Sequence, residues 1–167
     1  AIKAKKTVNG KAPSGNEAGK FTFKLYKIDD KGNETLVDTK SNGDGGLVSF
    51  DTFGNITETG TYWYKITEEG TVAGYTIDTT VYYAEVVVNA TPSNGVIISK
   101  NAKVTYHKGT KTGNTATVAT FNNIKKEDET SANIKVKKTF TNGAADKKFN
   151  FVLTPINNAP MPEGAVN

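Results

Sequence analysis

The sequence predicts an all-β fold, and three observations point there. Threonine occurs 24 times and Val, Tyr and Phe are plentiful, whereas leucine occurs four times; β-branched and aromatic side chains suit pleated surfaces. Several stretches alternate apolar and polar residues with period two, as strands with one buried face do. Between them lie clusters of Gly, Asn, Asp and Ser that make turns. The 167 residues hold one ordinary domain, or one domain and part of another.

The opening IKAKKTVNG places Ile2, Ala4 and Lys6 on one face and Lys3, Lys5 and Thr7 on the other, so Lys6 is a lysine at an inward position. A turn-rich stretch follows. Phe21 to Ile28 then makes a strand with Phe21, Phe23 and Leu25 in phase. DDKGN is a turn and TLVDT a short strand. SNGDGG, from Ser41 to Gly46, has the flavour of a calcium loop but lacks its carboxylates and terminal glutamate, so it reads as a turn. LVSFDTF leads to the central strand, Thr61 to Glu69. There Tyr62, Tyr64, Ile66 and Glu68 share one face, and Thr61, Trp63, Lys65, Thr67 and Glu69 the other. A carboxylate that ends an aromatic face needs a partner or a task, because burying it alone is costly.

The loop EEGTVAGYTID separates this strand from a long one, Thr79 to Ala90. TPSNG turns the chain into GVIISKNAKVTYHKG, which reads as a strand pair or one long bent strand. ATVATFNN closes the series with Ala119, Phe121 and Asn123 on one face, again ending inward on a polar residue. Residues 126–133 are charged and small, as linkers are. NIKVKKTFTNG then repeats IKAKKTVNG, and KFNFVL repeats KFTFKL, so Ile134, Val136 and Lys138 replay Ile2, Ala4 and Lys6. The expected organisation is a complete domain over 1–125, a linker over 126–133, and over 134–167 the N-terminal part of a second homologous domain, incomplete in this chain.

Composition narrows the function. Without cysteine there is no disulfide and no thiolate metal site, and one histidine, His107, makes no metal site alone. The net charge of +4 comes from lysine, with no arginine in the chain. Arginine is the preferred bidentate reader of phosphate and guanine, so specific nucleic-acid recognition is disfavoured. No apolar run approaches the roughly 20 residues that span a bilayer, so no membrane insertion is expected of this stretch. No paired carboxylates or Ser/His/Asp series support a hydrolase.

Lys6, Glu68 and Asn123 thus stand out as inward polar residues on the first, central and last strands. Taken singly, each has an ordinary reading: a snorkelling lysine, its buried ion-pair partner, and an asparagine at a turn. Together, IKAKK, YxYxIxE in YWYKITEE and FxN in FNN resemble the isopeptide-forming domains of Gram-positive pilins, relatives of the collagen-adhesin B-type fold. The resemblance runs from Ile2 to about Ile124 and resumes at Ile134.

It implies a CnaB-like, immunoglobulin-like β-sandwich in which Lys6 is the amine donor, Asn123 the acyl acceptor and Glu68 the catalytic acid. Burial among Tyr62, Tyr64 and Phe121 is expected to keep the Lys6 amine neutral and Glu68 protonated. Glu68 would donate to the Asn123 carbonyl and shuttle protons as ammonia leaves. Such a step occurs once per molecule, needs no cofactor and is not enzymatic turnover. Lys138 matches Lys6, with no partner glutamate or asparagine in the sequence.

Relatives of this type are shaft or backbone pilins on the cell wall, joined head to tail by sortase. The match of YHKGTK implies Lys111, then Lys108, as the acceptor amine. The alternative is a stalk or ligand-binding module of a non-polymerised adhesin facing host matrix or glycan, for which the outward Trp63 could be a platform.

Overall fold

A computed structural model of the chain describes residues 1–51, 56–126, 134–139, 141, 148–157, 159 and 161. The chain divides into two units, Ala1–Glu129 and Thr130–Asn167. The described residues of the first form ten strands: β1 Ile2–Val8, β2 Thr22–Ile28, β3 Glu34–Ser41, β4 Leu47–Phe50, β5 Gly60–Glu69, β6 Tyr75–Thr76, β7 Tyr82–Ser93, β8 Val96–Lys108, β9 Thr115–Ala116 and β10 Ala119–Lys125. They form a four-stranded sheet ordered β4-β1-β10-β6 and a six-stranded sheet ordered β3-β2-β5-β7-β8-β9. The inward faces of the two enclose one apolar core, in which Ile2, Ala4, Val48, Phe50, Ala119 and Phe121 of the smaller sheet join Phe23, Leu25, Tyr64, Ile66, Ala84 and Val86 of the larger.

The alternation read from the sequence sets these faces. Along β1 burial alternates through Ile2 and Ala4 to Lys6, and along β10 Ala119, Phe121 and Asn123 are buried while Thr120 and Asn122 are not. The 95–109 segment resolves as one strand, β8, which forms a hairpin with β7 through Asn94 and Gly95. Both take positive φ, 50° and 78°, as a two-residue hairpin turn matched to strand twist requires.

The first and last strands are neighbours and run parallel, with Lys6 opposite Phe121 and Val8 opposite Asn123. The other pairings among the described strands are antiparallel. Side-chain hydrogen bonds reinforce the β1–β10 seam. The Thr7 hydroxyl donates to Asn122 Oδ1 at 2.9 Å, the Gly10 N–H donates to the same oxygen at 2.7 Å, and the Lys125 N–H donates to Asn9 Oδ1 at 3.1 Å.

The loop read between β5 and the long strand contains β6, whose Thr76 and Tyr75 pair with Ile124 and Lys125. Two paired residues leave no periodicity to detect, so only the tertiary pairing reveals this strand. Residues 79–81, read as the start of the long strand, precede β7, which runs on to Ser93.

In the second unit none of the described residues lies in a strand, and Ile134 and Val136 are 68 % and 66 % exposed. The Lys138 ammonium lies 5.0 Å from the centroid of the Phe149 ring. Period-two patterning supplies a face to bury, but strands need neighbours to pair with and pack against.

Candidate functional site

Lys6, Glu68 and Asn123 meet in the core. Lys6 and Asn123 share the inward face of the β1–β10 pair, offset by two positions. Glu68 reaches them from β5 in the facing sheet, where it pairs with Phe23 of β2. Lys6 and Asn123 are both 0 % exposed and Glu68 7 %.

One carboxylate spans both nitrogens. The Lys6 Nζ donates to Glu68 Oε2 at 2.6 Å, and the Asn123 Nδ2 donates to Glu68 Oε1 at 2.6 Å. The Asn123 Oδ1 turns the other way and accepts from the Asp78 backbone N–H at 2.7 Å. A backbone N–H can only donate, so the atom facing it must be the oxygen, which leaves the amide nitrogen for Glu68. The amide is therefore turned relative to the expectation that Glu68 donates to the Asn123 carbonyl: Glu68 holds the nitrogen.

Burial dominates the electrostatics. It lowers the Lys6 pKa against the opposing influence of the Glu68 hydrogen bond and charge. It raises the Glu68 pKa against the hydrogen bonds from Lys6 and Asn123. Both shifts favour the neutral amine and the protonated acid, the pair in which lysine is a nucleophile.

The aromatic lining differs in part from the sequence reading. Phe121 stands opposite Lys6 and packs edge-on against Phe23 and Tyr82, with centroids 5.3 and 5.2 Å away. Phe21 places its ring 4.8 Å from the Lys6 Nζ and stacks edge-on with Tyr75 at 5.2 Å. Phe21 had been legible as an inward residue, though not as the ring over the amine.

Tyr64 is a core residue four positions along β5 from Glu68. Tyr62 is half-buried, and its hydroxyl donates to the Glu58 carbonyl at 3.0 Å. At about 3.4 Å per residue it stands some 20 Å up the strand from Glu68, outside the pocket. Period two assigns a face but not a depth along it.

The enclosure is completed by a loop clamp. Glu17 and Asn42 are buried; Asn42 accepts from the Phe21 N–H at 2.9 Å and donates to the Glu17 carbonyl at 2.9 Å. The Glu17 carboxylate accepts from the Tyr75 hydroxyl at 2.7 Å and the Ser14 N–H at 2.9 Å. Gly46, at φ 82°, presses on the Lys6 carbonyl so closely that a Cβ there would lie 2.1 Å from its oxygen.

On the outer face of the larger sheet, Trp63 packs against His107 with centroids 5.5 Å apart, and the Lys111 Nζ lies 5.3 Å from the Trp63 ring. Lys111 is half-buried, whereas Lys108 at the end of β8 is exposed. Among the described residues no cluster of His, Cys, Asp or Glu could hold a metal, and no helix is long and apolar enough to cross a membrane.

Fold and site define a class: a two-sheet β-sandwich whose core holds a lysine and an asparagine bridged by one glutamate. The chain belongs to the family described as the Spy0128-like isopeptide containing domain, FctA, whose model matches residues 2–126. Its fold is shared with the major pilin from Streptococcus pyogenes, at 20 % identity and a TM-score of 0.50 over 74 % of this chain and 50 % of that one. An asparagine-to-alanine mutant of that pilin matches at 19 % identity with the same coverage and TM-score. This chain thus spans half the length of those pilin structures. Comparison with curated proteins returns no match.

Proposed function

We propose that this chain is a structural subunit of a Gram-positive surface pilus, of the shaft or backbone kind, in which an isopeptide bond joins Lys6 to Asn123. The observation that carries this reading is the Glu68 carboxylate bridging the Lys6 amine and the Asn123 amide at 2.6 Å each, in a pocket closed to water. A buried charged residue bonded only to its ion-pair partner would suffice for packing. A second bond to a carboxamide nitrogen places nucleophile and leaving group on one proton carrier.

The neutral Lys6 amine attacks Asn123 Cγ, forming the C–N bond as the carbonyl π electrons move to Oδ1. Glu68 takes a proton from the attacking nitrogen at Oε2 and delivers one to Nδ2 through Oε1. The carbonyl re-forms, the Cγ–Nδ2 bond breaks, and amine plus carboxamide become a secondary amide plus ammonia. Folding provides the proximity that makes this aminolysis intramolecular, an advantage of up to about 10⁵–10⁸ M in effective concentration. Glu68 is regenerated, but the molecule reacts once.

The β1–β10 arrangement supports a load-bearing role. Tension entering at the start of β1 and leaving at the end of β10 shears two parallel neighbours, and a Lys6–Asn123 bond ties them covalently at that seam. Neighbouring pilin subunits, joined head to tail by sortase at the cell surface, are the partners this role requires. Lys108, exposed, and Lys111, against Trp63, are the two amines proposed for that link. The repeat of the β1 sequence at Ile134 to Lys138 supports the N-terminal part of a second copy of the domain over 134–167, joined through residues 126–133 to the first over 1–125.

Intact mass tests the bond. The chain is expected to weigh one ammonia less than its sequence, and Glu68→Ala is expected to have the full mass of its own sequence. A wild-type chain of full mass would overturn the reading.

A further inference from the structure

We propose that the Asp78 backbone N–H is the oxyanion donor of isopeptide formation and that the Asp78 carboxylate is the group that positions it. This rests on the Lys6–Asn123 reading above and assigns a task that reading leaves open. When Lys6 attacks Asn123 Cγ, negative charge develops on Oδ1. Both Glu68 oxygens face nitrogens, Lys6 Nζ and Asn123 Nδ2, rather than Oδ1. The group on Oδ1 is the Asp78 N–H, at 2.7 Å. A backbone donor aimed at a developing oxyanion in a water-poor site is the geometry that stabilises acyl-transfer intermediates most.

The donor is held from two sides. Asp78 lies two residues past β6, which pairs with β10 through Thr76 and Ile124. Its Oδ2 accepts from the backbone N–H of Asn122, the residue before the acyl acceptor, at 2.7 Å. Its Oδ1 accepts from the Thr80 N–H at 2.9 Å, closing a local turn. The Asp78 side chain thus binds the backbone of β10 while the Asp78 N–H binds the β10 side chain one residue on. Loop and acyl group are locked in one register. Although burial pushes the Asp78 pKa up, hydrogen bonds from Thr80 and Asn122 hold it below its ordinary value, so the anchor stays an anionic acceptor.

The same bond sets the reaction's polarity. Turned by half a rotation, the Asn123 amide would face an N–H with its NH2 group and present its oxygen to Glu68, with no proton carrier on the leaving nitrogen. Asp78 therefore both stabilises charge on Oδ1 and orients the leaving group toward the acid.

The test compares Asp78→Pro, which removes the N–H, with Asp78→Ala, which keeps it but frees the loop. Each protein is purified cold, its folded fraction is isolated by resistance to a short trypsin pulse, and ammonia loss is followed by intact mass during incubation. Wild type is expected to be fully reacted at the first time point. Asp78→Pro is expected to react about 10²–10³-fold more slowly, as loss of one oxyanion donor does elsewhere, with Asp78→Ala between the two. Folded Asp78→Pro that is fully reacted at the first time point overturns the donor role. Should Asp78→Pro not fold, Asp78→Ala decides: a measurable lag in its folded fraction supports the proposal, and immediate completeness overturns it. A merely structural Asp78 would lower the folded fraction without slowing ammonia loss within it. A full-mass wild type would instead refute the cross-link itself, so the two failures are distinct.

Discussion

Replacing Asn123 by alanine removes the acyl group while leaving the Lys6–Glu68 pair in place, so it isolates what the covalent bond contributes. The bond closes a loop of about 117 residues, and the loop-entropy relation used for disulfides gives about 5 kcal/mol for that length. The Asp78 N–H loses its acceptor in the same variant, adding about 1 kcal/mol for an unsatisfied buried donor. The sum, about 6 kcal/mol, corresponds to a fall in Tm of about 15–25 °C for a domain of this size. Scanning calorimetry on wild type and variant, with intact mass on the same samples, measures both quantities. A variant melting within a few degrees of a wild type that has lost ammonia would refute the view that the bond constrains the unfolded chain. The loss would then be offset by structure retained in the denatured state.

Force should separate the same two proteins differently. In single-molecule pulling from the termini, wild type is expected to hide the loop between the linked residues, and Asn123→Ala to release about 400 Å more contour length; equal extensions would exclude the link. Gly46→Ala, made in the Asn123→Ala background, combines a positive φ with a Cβ 2.1 Å from the Lys6 carbonyl oxygen. Denaturant unfolding is expected to show a loss beyond the about 1–2 kcal/mol of the backbone conformation alone, and an unchanged midpoint would argue against the close approach. Glu69 supplies a pH signature, because hydrogen bonds from Lys24 and Tyr26 lower its pKa from 4.5 to about 2. A depressed carboxyl stabilises the fold above its unfolded pKa, and that contribution is lost as pH falls from about 4.5 toward about 2. Urea unfolding of the unlinked variant should weaken over that window, and adding Glu69→Gln should flatten the slope; an equal slope in both would remove Glu69 as its source.

Much of the site was legible in the chain because strand parity is a local property. Lys6 follows Ile2 and Ala4 in phase, Glu68 follows Tyr64 and Ile66, and Asn123 follows Ala119 and Phe121, and each is buried accordingly. A polar residue in phase with an apolar series is visible without knowing what it meets. Parity also placed Trp63 on the outer face, where it packs on His107. It could not measure distance along a face, which is why Tyr62 shared the right side of β5 but not the pocket.

What the tertiary structure alone decided depends on partners far apart in sequence. That β1 and β10 lie side by side and parallel is decided by the strand order of the smaller sheet, and it puts Lys6 and Asn123 on one face within reach of the same carboxylate. The ring over Lys6 turned out to be Phe21, selected by the clamp of Glu17, Asn42 and Tyr75 around it. Asp78 had no sequence signal, since it lies in a loop beside a two-residue strand and acts through its backbone N–H, a group every residue but proline carries. Patterning therefore marked Lys6, Glu68 and Asn123 as inward, a property of one strand at a time, while the buried Glu17 and Asn42 lie between strands, without a period, and Thr7, on the other face of β1, is buried as well. Only the packed sandwich fixed which atom of Asn123 faces which partner, because a hydrogen bond's direction is set by both groups that make it.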